Sequence, residues 1–254
     1  MINREIERHN MEAIRKLNQR GGRTLSVVDL YEDGTLDRKL IDFFLQAIWS
    51  GDSLLAAAGP SGTGKTTLMG ALLNLIPPGT RIRTAEKGRP LPDGEDQPLF
   101  MAHELNDAPY YGYIWDGDAR QFLEAAGENQ IAATLHAESL KGVRKKLTRH
   151  PVGLSREDFE EIELVATMKK NRRGGETLRR IDGIYEKSGE EHRQLFRWEQ
   201  EEDEYLGLGP AAHAEAREEE TEKLDRKEFL EELLKNKPKR LEEVRELLLE
   251  FVSN

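Results

Sequence analysis

The chain has 254 residues, enough for one α/β domain with a small appendage. Charged residues make up 34% and the net charge is −10, which argues against a general grip on nucleic acid, since that needs a basic stripe. The absence of cysteine excludes disulfides, thiolate metal sites and a cysteine nucleophile.

The segment Met1 to Arg8 is too charged for a signal peptide, and no apolar run approaches the roughly 20 residues of a membrane span. The spacing of Ile2, Ile6, Met11, Ile14 and Leu17 predicts a helix that Gly21 and Gly22 stop. Leu25 to Leu30 and a turn at Glu32 to Gly34 follow. Thr35 reads as the N-cap of a helix through Ser50, with Leu36, Leu40, Phe43, Phe44, Ala47 and Ile48 on one face.

Leu54 to Ala58 is an apolar run that reads as a buried strand. It breaks at Gly59, and a helix resumes with Leu68, Ala71, Leu72 and Leu75 on its apolar face. Between them lies Gly59-Pro60-Ser61-Gly62-Thr63-Gly64-Lys65-Thr66-Thr67, a phosphate-binding loop pattern in strand–loop–helix context. Its glycines admit positive φ, so successive N–H groups form an anion nest at a helix N-terminus. Lys65 is placed for the β- and γ-phosphates, and the Thr66 hydroxyl for Mg²⁺. A nucleoside triphosphate and Mg²⁺ are therefore the expected ligands.

Arg81 to Glu86 reads as a strand ending in an acid. Lys87 to Gln97 is a loop rich in Gly, Pro and charge. Leu99 to Ala102 is apolar and ends at His103 and Glu104. Tyr110 to Trp115 is an aromatic strand candidate that stops at Asp116, and a helix follows over 119–126. Gln130 to Leu135 is a buried strand leading into His136, and 140–150 is a basic helix. Ser155 reads as a cap with Asp158 three residues on. Glu163 to Met168, Leu178 to Tyr185 and Leu195 to Trp198 read as strands around a basic turn at Arg172 to Gly175. Two short helices close the chain. The expected partition is an N-terminal helix (1–24), a core (25–200), an acidic linker (201–221) and a helical tail (222–254). Strands alternating with helices predict an α/β fold with a mainly parallel sheet.

In such a sheet, the groups that serve a phosphate loop sit at the C-terminal ends of neighbouring strands. Glu86, Glu104, Asp116 and His136 each follow a strand-like run and are the catalytic candidates, with Asp116 joining Thr66 as a metal ligand. Each also has a structural alternative: a capping or surface acid, or a core histidine.

Together these segments resemble the secretion ATPase superfamily, the ring-forming ATPases of type II and type IV secretion, type IV pili and archaeal flagella. The resemblance covers about residues 26–200 and the tail. It rests on the loop from Gly59 to Thr67, the strand Arg81 to Glu86, the box Thr134-Leu135-His136-Ala137, and the strand, basic turn and strand from Ile162 to Tyr185. It implies a P-loop NTPase fold of RecA-like type, ATP hydrolysis with Mg²⁺, a homo-oligomeric ring of six, and a membrane platform protein as partner. It also implies a cytoplasmic location, peripheral at the inner face of the membrane.

The sequence departs from the family's pattern. Lys87 stands where a second acid is expected. The segment before the Walker B strand is short and lacks the helix that brings arginines to a neighbour's nucleotide. The large N-terminal domain of many members has only a short helix as counterpart. Counting back from Ala125 and Ala126 puts Gly112 and Tyr113 at the Walker B position, without its glutamate; Asp116 or Glu104 are the stand-ins. Arg172 and Arg173 either act across a subunit boundary or support their turn. These losses leave two readings open: a motor ATPase, and a nucleotide-binding regulator with little hydrolysis. A P-loop kinase is the third, and it leaves the Thr-Leu-His-Ala box unexplained.

Overall fold

The computed structural model describes residues 2–18, 21–92, 98–211 and 225–253. Helix α1, Arg4–Leu17, begins at Asn3, whose side chain accepts from the N–H groups of Glu5 and Ile6. Helix α2, Val27–Glu32, begins in a reciprocal capping box between Ser26 and Asp29. Helix α3, Arg38–Trp49, is capped by Asp37, which accepts from the Leu40 N–H at 2.7 Å. Thr35 is thus not the cap; its hydroxyl donates to the Arg179 carbonyl at 2.9 Å. Two acceptors compete for the role, and the carboxylate two residues further on takes it.

Strand β1, Leu54–Ala58, leads into the phosphate loop and α4, Lys65–Leu73. Then come β2, Ile82–Thr84; β3, Leu99–Ala102; β4, Glu104–Leu105; β5, Tyr113–Ile114; and α5, Asp116–Glu124. Strand β6, Ile131–His136, is followed by α6, Leu140–Thr148, and α7, Arg156–Glu160. The long strands β7, Leu164–Arg173, β8, Glu176–Ser188, and β9, Glu191–Glu199, precede β10, Glu204–Gly207. Helices α8, Arg226–Asn236, and α9, Leu241–Ser253, follow.

The main sheet has eight strands in the order β10-β9-β8-β7-β1-β6-β3-β2. From β7 to β2 all neighbours are parallel; from β7 to β10 all are antiparallel. The parallel half carries the site. Every residue of β1 is buried, as a central parallel strand covered on both faces requires. Leu54, Ala56 and Ala58 face a core built from α1 to α4, α8 and α9, whereas Leu55 and Ala57 face one built from α5 to α7. Leu55 is fully buried, so Leu55→Ala would cost about 2–5 kcal/mol.

Two expected elements differ. Of Tyr110 to Trp115 only Tyr113–Ile114 is strand, and it pairs with β4 in a separate two-stranded sheet. Pro109 and Gly112 bend this segment away from the main sheet. Gly112 has φ +74, and a Cβ there would lie 2.5 Å from the His103 ring. The acidic stretch expected as a linker begins with β10, whose Tyr205 hydroxyl donates to the Thr35 carbonyl at 2.7 Å. The rest of that stretch, 212–224, lies outside the described residues, as do positions 93–97 of the loop after Glu86.

The two ends of the chain are joined beside the loop helix. Arg245 of α9 meets Glu7 of α1 through Nε and NH2 at 2.6 and 3.0 Å, and also donates to the Asn74 and Ile76 carbonyls just past α4. Asn10 of α1 pairs with the Thr80 carbonyl and the Ile82 N–H, which satisfies the open edge of β2.

Candidate nucleotide site

The turn after β1 has the form its residues dictate. Gly64 takes φ +107, a conformation that disfavours any side chain, and ends the loop at the start of α4. No side chain caps α4, so its first N–H groups and its positive dipole end face the space in front of the loop. The Thr63 hydroxyl donates to the Pro60 carbonyl at 2.7 Å and braces the loop internally.

In front of the loop lies a cleft of about 700 Å³. Its floor is Ser61, Gly62, Gly64, Lys65, Thr66 and Thr67. His103, Glu104 and His136 line it from the parallel sheet, Tyr110 and Tyr113 from the aromatic segment, and Arg23 to Leu25 from the connector before α2. The volume and the mixed lining suit a nucleotide-sized ligand.

Glu104 and His136 converge on Lys65. β3 is the neighbour of β6, and β6 of β1, so the C-terminal ends of these strands bring the residues together. Glu104 Oε1 lies 3.0 Å from His136 Nε2, and Lys65 Nζ lies 3.5 Å from His136 Nδ1. His136 Nδ1 is also 2.8 Å from the Gly59 carbonyl. A carbonyl only accepts, so Nδ1 carries a hydrogen and does not accept from Lys65. Nε2 is the ring nitrogen that faces the Glu104 carboxylate. Thr134, two residues earlier on β6, donates to the His103 carbonyl at 2.7 Å and fixes where the chain leaves β3.

Glu86 and Asp116 do not line this cleft. Glu86 lies two residues past the end of β2 and pairs with Arg89 at 3.1 Å. Asp116 is exposed at the start of α5 with φ +60. The separate β4–β5 sheet carries the chain outward before Asp116, so it does not stand beside Thr66 as the expected metal ligand. Nearby, Asp118 accepts from the Gly88 N–H at 2.8 Å and Lys87 pairs with Asp107 at 2.8 Å. These contacts hold the loop after β2 against the start of α5 and the turn after β4.

Counting back from Ala125 placed the Walker B position at Gly112 and Tyr113. In the structure it is Glu104 that follows β3, the strand beside β6, whereas β5 lies outside the main sheet. Two further residues escaped the sequence reading. Lys146 of the basic helix turns inward: its ammonium donates to the His136 carbonyl at 3.3 Å and lies over Trp115. Burial lowers its pKa, and Glu104 opposes that shift. Arg179 of β8 donates from Nε to the Gly62 carbonyl at 3.1 Å. His103 is buried behind Glu104, and burial, with a smaller contribution from Lys16, pushes its pKa down to about 4.

The donor set fits Mg²⁺ bound with phosphate. The cleft offers the Thr66 hydroxyl and the Glu104 carboxylate, and among the described residues no group of three His, Asp or Glu side chains forms a protein-only metal cage. Mg²⁺ is commonly held by one or two protein oxygens, substrate phosphates and water.

No protein-family model matches the chain, and no curated protein matches it. Solved structures do. The VirB11 ATPase from the Brucella suis type IV secretion system, in complex with sulphate, is 22% identical with a TM-score of 0.41, over 62% of this chain and 54% of that one. The Legionella pneumophila ATPase DotB is 17% identical with a TM-score of 0.36, over 84% of this chain and 55% of that one. The chain thus spans little more than half the length of these structures.

Proposed function

We propose that this chain is an ATPase subunit that binds ATP with Mg²⁺ on the loop from Gly59 to Thr67 and hydrolyses it with Glu104 as the water-directing carboxylate. The observation that carries the reading is the convergence of Lys65, Glu104 and His136 from adjacent strand ends around an uncapped helix N-terminus. Lys65 and the loop N–H groups hold the phosphates. Thr66 and Glu104 would hold Mg²⁺, which offsets phosphate charge in the transition state. Glu104 orders a water and accepts its proton. His136 restrains Glu104 on one side and is itself fixed by the Gly59 carbonyl.

The cleft is short of positive charge for turnover. Among its described lining residues the one arginine is Arg23, and both its terminal nitrogens are committed: to the Asp29 carboxylate at 2.8 and 2.7 Å, and to the Lys239 carbonyl at 2.6 Å. An isolated subunit should therefore be slow, and a neighbouring subunit would supply the missing cation. This supports assembly into a ring, in keeping with the resemblance to secretion and pilus motors. A membrane platform as partner and a cytoplasmic location at the membrane's inner face belong to the same proposal. Among the described residues no helix is long and apolar enough to cross a membrane.

The same shortage favours, as a second reading, a regulator that binds ATP and barely turns it over. Phosphate release at saturating ATP separates the readings. The motor reading expects Glu104→Gln to lose about 100-fold in rate and Asp116→Ala to match wild type. Release at wild-type rate by Glu104→Gln would remove Glu104 from the mechanism. Tight ATP binding by wild type with no release at any protein concentration would establish the regulator.

A further inference from the structure

We infer that Arg179 is the positioning residue of the phosphate loop, through which the β7–β8 hairpin sets nucleotide affinity; the part concerning affinity rests on the proposed function. The argument begins with register. β1 ends at Ala58, paired with Met168 of β7. β7 continues to Arg173, and β8 returns from Glu176, so residues 169–173 and 176–180 pair with each other beyond the end of β1. The chain that follows Ala58 is the phosphate loop. The hairpin therefore overhangs the loop, and Arg179, opposite Lys170 in the ladder, is on the overhang.

Arg179 touches the loop at two points. Its Nε donates to the Gly62 carbonyl at 3.1 Å. Its Cδ lies 3.5 Å from where a Gly64 side chain would begin, beside Met168 Cε at 3.4 Å. A phosphate nest needs N–H groups turned inward, which turns carbonyls outward. An outward carbonyl held by a charged donor keeps the peptide from flipping and removing an N–H from the nest. A guanidinium bond of this kind is stronger than one between neutral groups.

The strand that bears Arg179 is itself fixed. The next residue, Arg180, is buried; its Nε and NH2 bond the Asp203 carboxylate at 2.7 and 2.8 Å, and its NH1 donates to the Asp33 carbonyl at 2.8 Å. The Arg179 carbonyl accepts from Thr35 and from Arg180. Among the described residues no carboxylate pairs with the Arg179 side chain, so its direction is set by the loop and not by an acid of the hairpin. Past this anchor the hairpin carries the exposed Lys170, Arg172 and Arg173 and turns at Gly174 and Gly175. Displacing that arm pulls on the Gly62 peptide.

The test compares wild type, Arg179→Met, Arg179→Lys and Lys170→Met. Amide hydrogen exchange of the nucleotide-free protein reads the loop directly. Arg179→Met is expected to speed exchange at Gly62 to Lys65 about tenfold while the melting temperature stays near wild type. Arg179→Lys, which keeps a donor, should recover part of the protection, and Lys170→Met should change nothing. ATP affinity should then fall about tenfold in Arg179→Met and partly recover in Arg179→Lys. Unchanged loop exchange in Arg179→Met overturns the inference. So does wild-type ATP affinity in that variant. Faster loop exchange in a protein whose wild type binds no ATP would uphold the positioning role and refute the proposed function alone.

Discussion

Glu104 and His136 leave different strands of the sheet and meet with Oε1 and Nε2 3.0 Å apart, while the other ring nitrogen is held by the Gly59 carbonyl at 2.8 Å. The histidine thus ties the end of β3 to the first residue of the phosphate loop. Replacing it removes one tie on the Gly59 carbonyl and frees the carboxylate, while Lys65 and the N–H groups of the loop remain. His136→Ala should lower kcat about tenfold and leave KM for ATP within about twofold, the split expected of a group that orients a base. Steady-state kinetics over a range of ATP concentrations gives both numbers.

Arg23 is bound to Asp29 and to the Lys239 carbonyl, so under the proposed function a second subunit would supply the charge needed in the transition state. Turnover per subunit should rise with protein concentration by at least about tenfold, since a single arginine supplied in trans carries large rate effects. Phosphate release followed across a dilution series reads this directly. A rate per subunit that stays constant while sedimentation shows dissociation would mean that one subunit suffices.

His103 makes stability depend on pH. Its folded pKa lies near 4, below its ordinary value of 6.5, because burial disfavours the charged ring. As pH falls below 6.5 the unfolded chain takes a proton that the folded chain refuses, so stability is full above that value and is lost towards pH 4. The loss amounts to about 3 kcal/mol. Urea melts of wild type and His103→Gln at both pH values should differ in their pH dependence by about that much, with the variant flatter.

Arg245 joins α9 to α1 and to the end of the loop helix through a buried pair with Glu7. Arg245→Met leaves the Glu7 carboxylate buried and uncompensated, at a cost of about 3–5 kcal/mol. Adding Glu7→Leu should return most of it, because the charge that needed a partner is then gone. Denaturant midpoints of the two variants check this.

The parts of the site written in contiguous residues were legible in the sequence. The loop from Gly59 to Thr67 needs only its own glycines, its lysine and the flanking strand and helix. His136 was visible because it ends a buried apolar run. Glu104 was visible only as one of several acids, since its place in the cleft depends on β3 lying beside β6, and strand order is not local. Asp116 looked equivalent in sequence, but the bend at Pro109 and Gly112 removes it from the cleft. Arg179 gave no signal, because its contact with Gly62 spans 117 residues. The N-cap of α3 was misplaced by two residues because Thr35 and Asp37 are both competent acceptors.

Thermal unfolding with and without ATP and Mg²⁺, for wild type and Lys65→Ala, tests the central claim most directly. Ligand at 100 times its Kd stabilises the folded state by about 2.7 kcal/mol. Wild type should therefore melt about 5–10 °C higher with the nucleotide. Lys65→Ala, which keeps the loop but loses its fixed cation, should show no such rise. A wild-type protein that melts at the same temperature with millimolar ATP and Mg²⁺, or a Lys65→Ala protein that gains as much as wild type, would contradict a triphosphate seated on this loop.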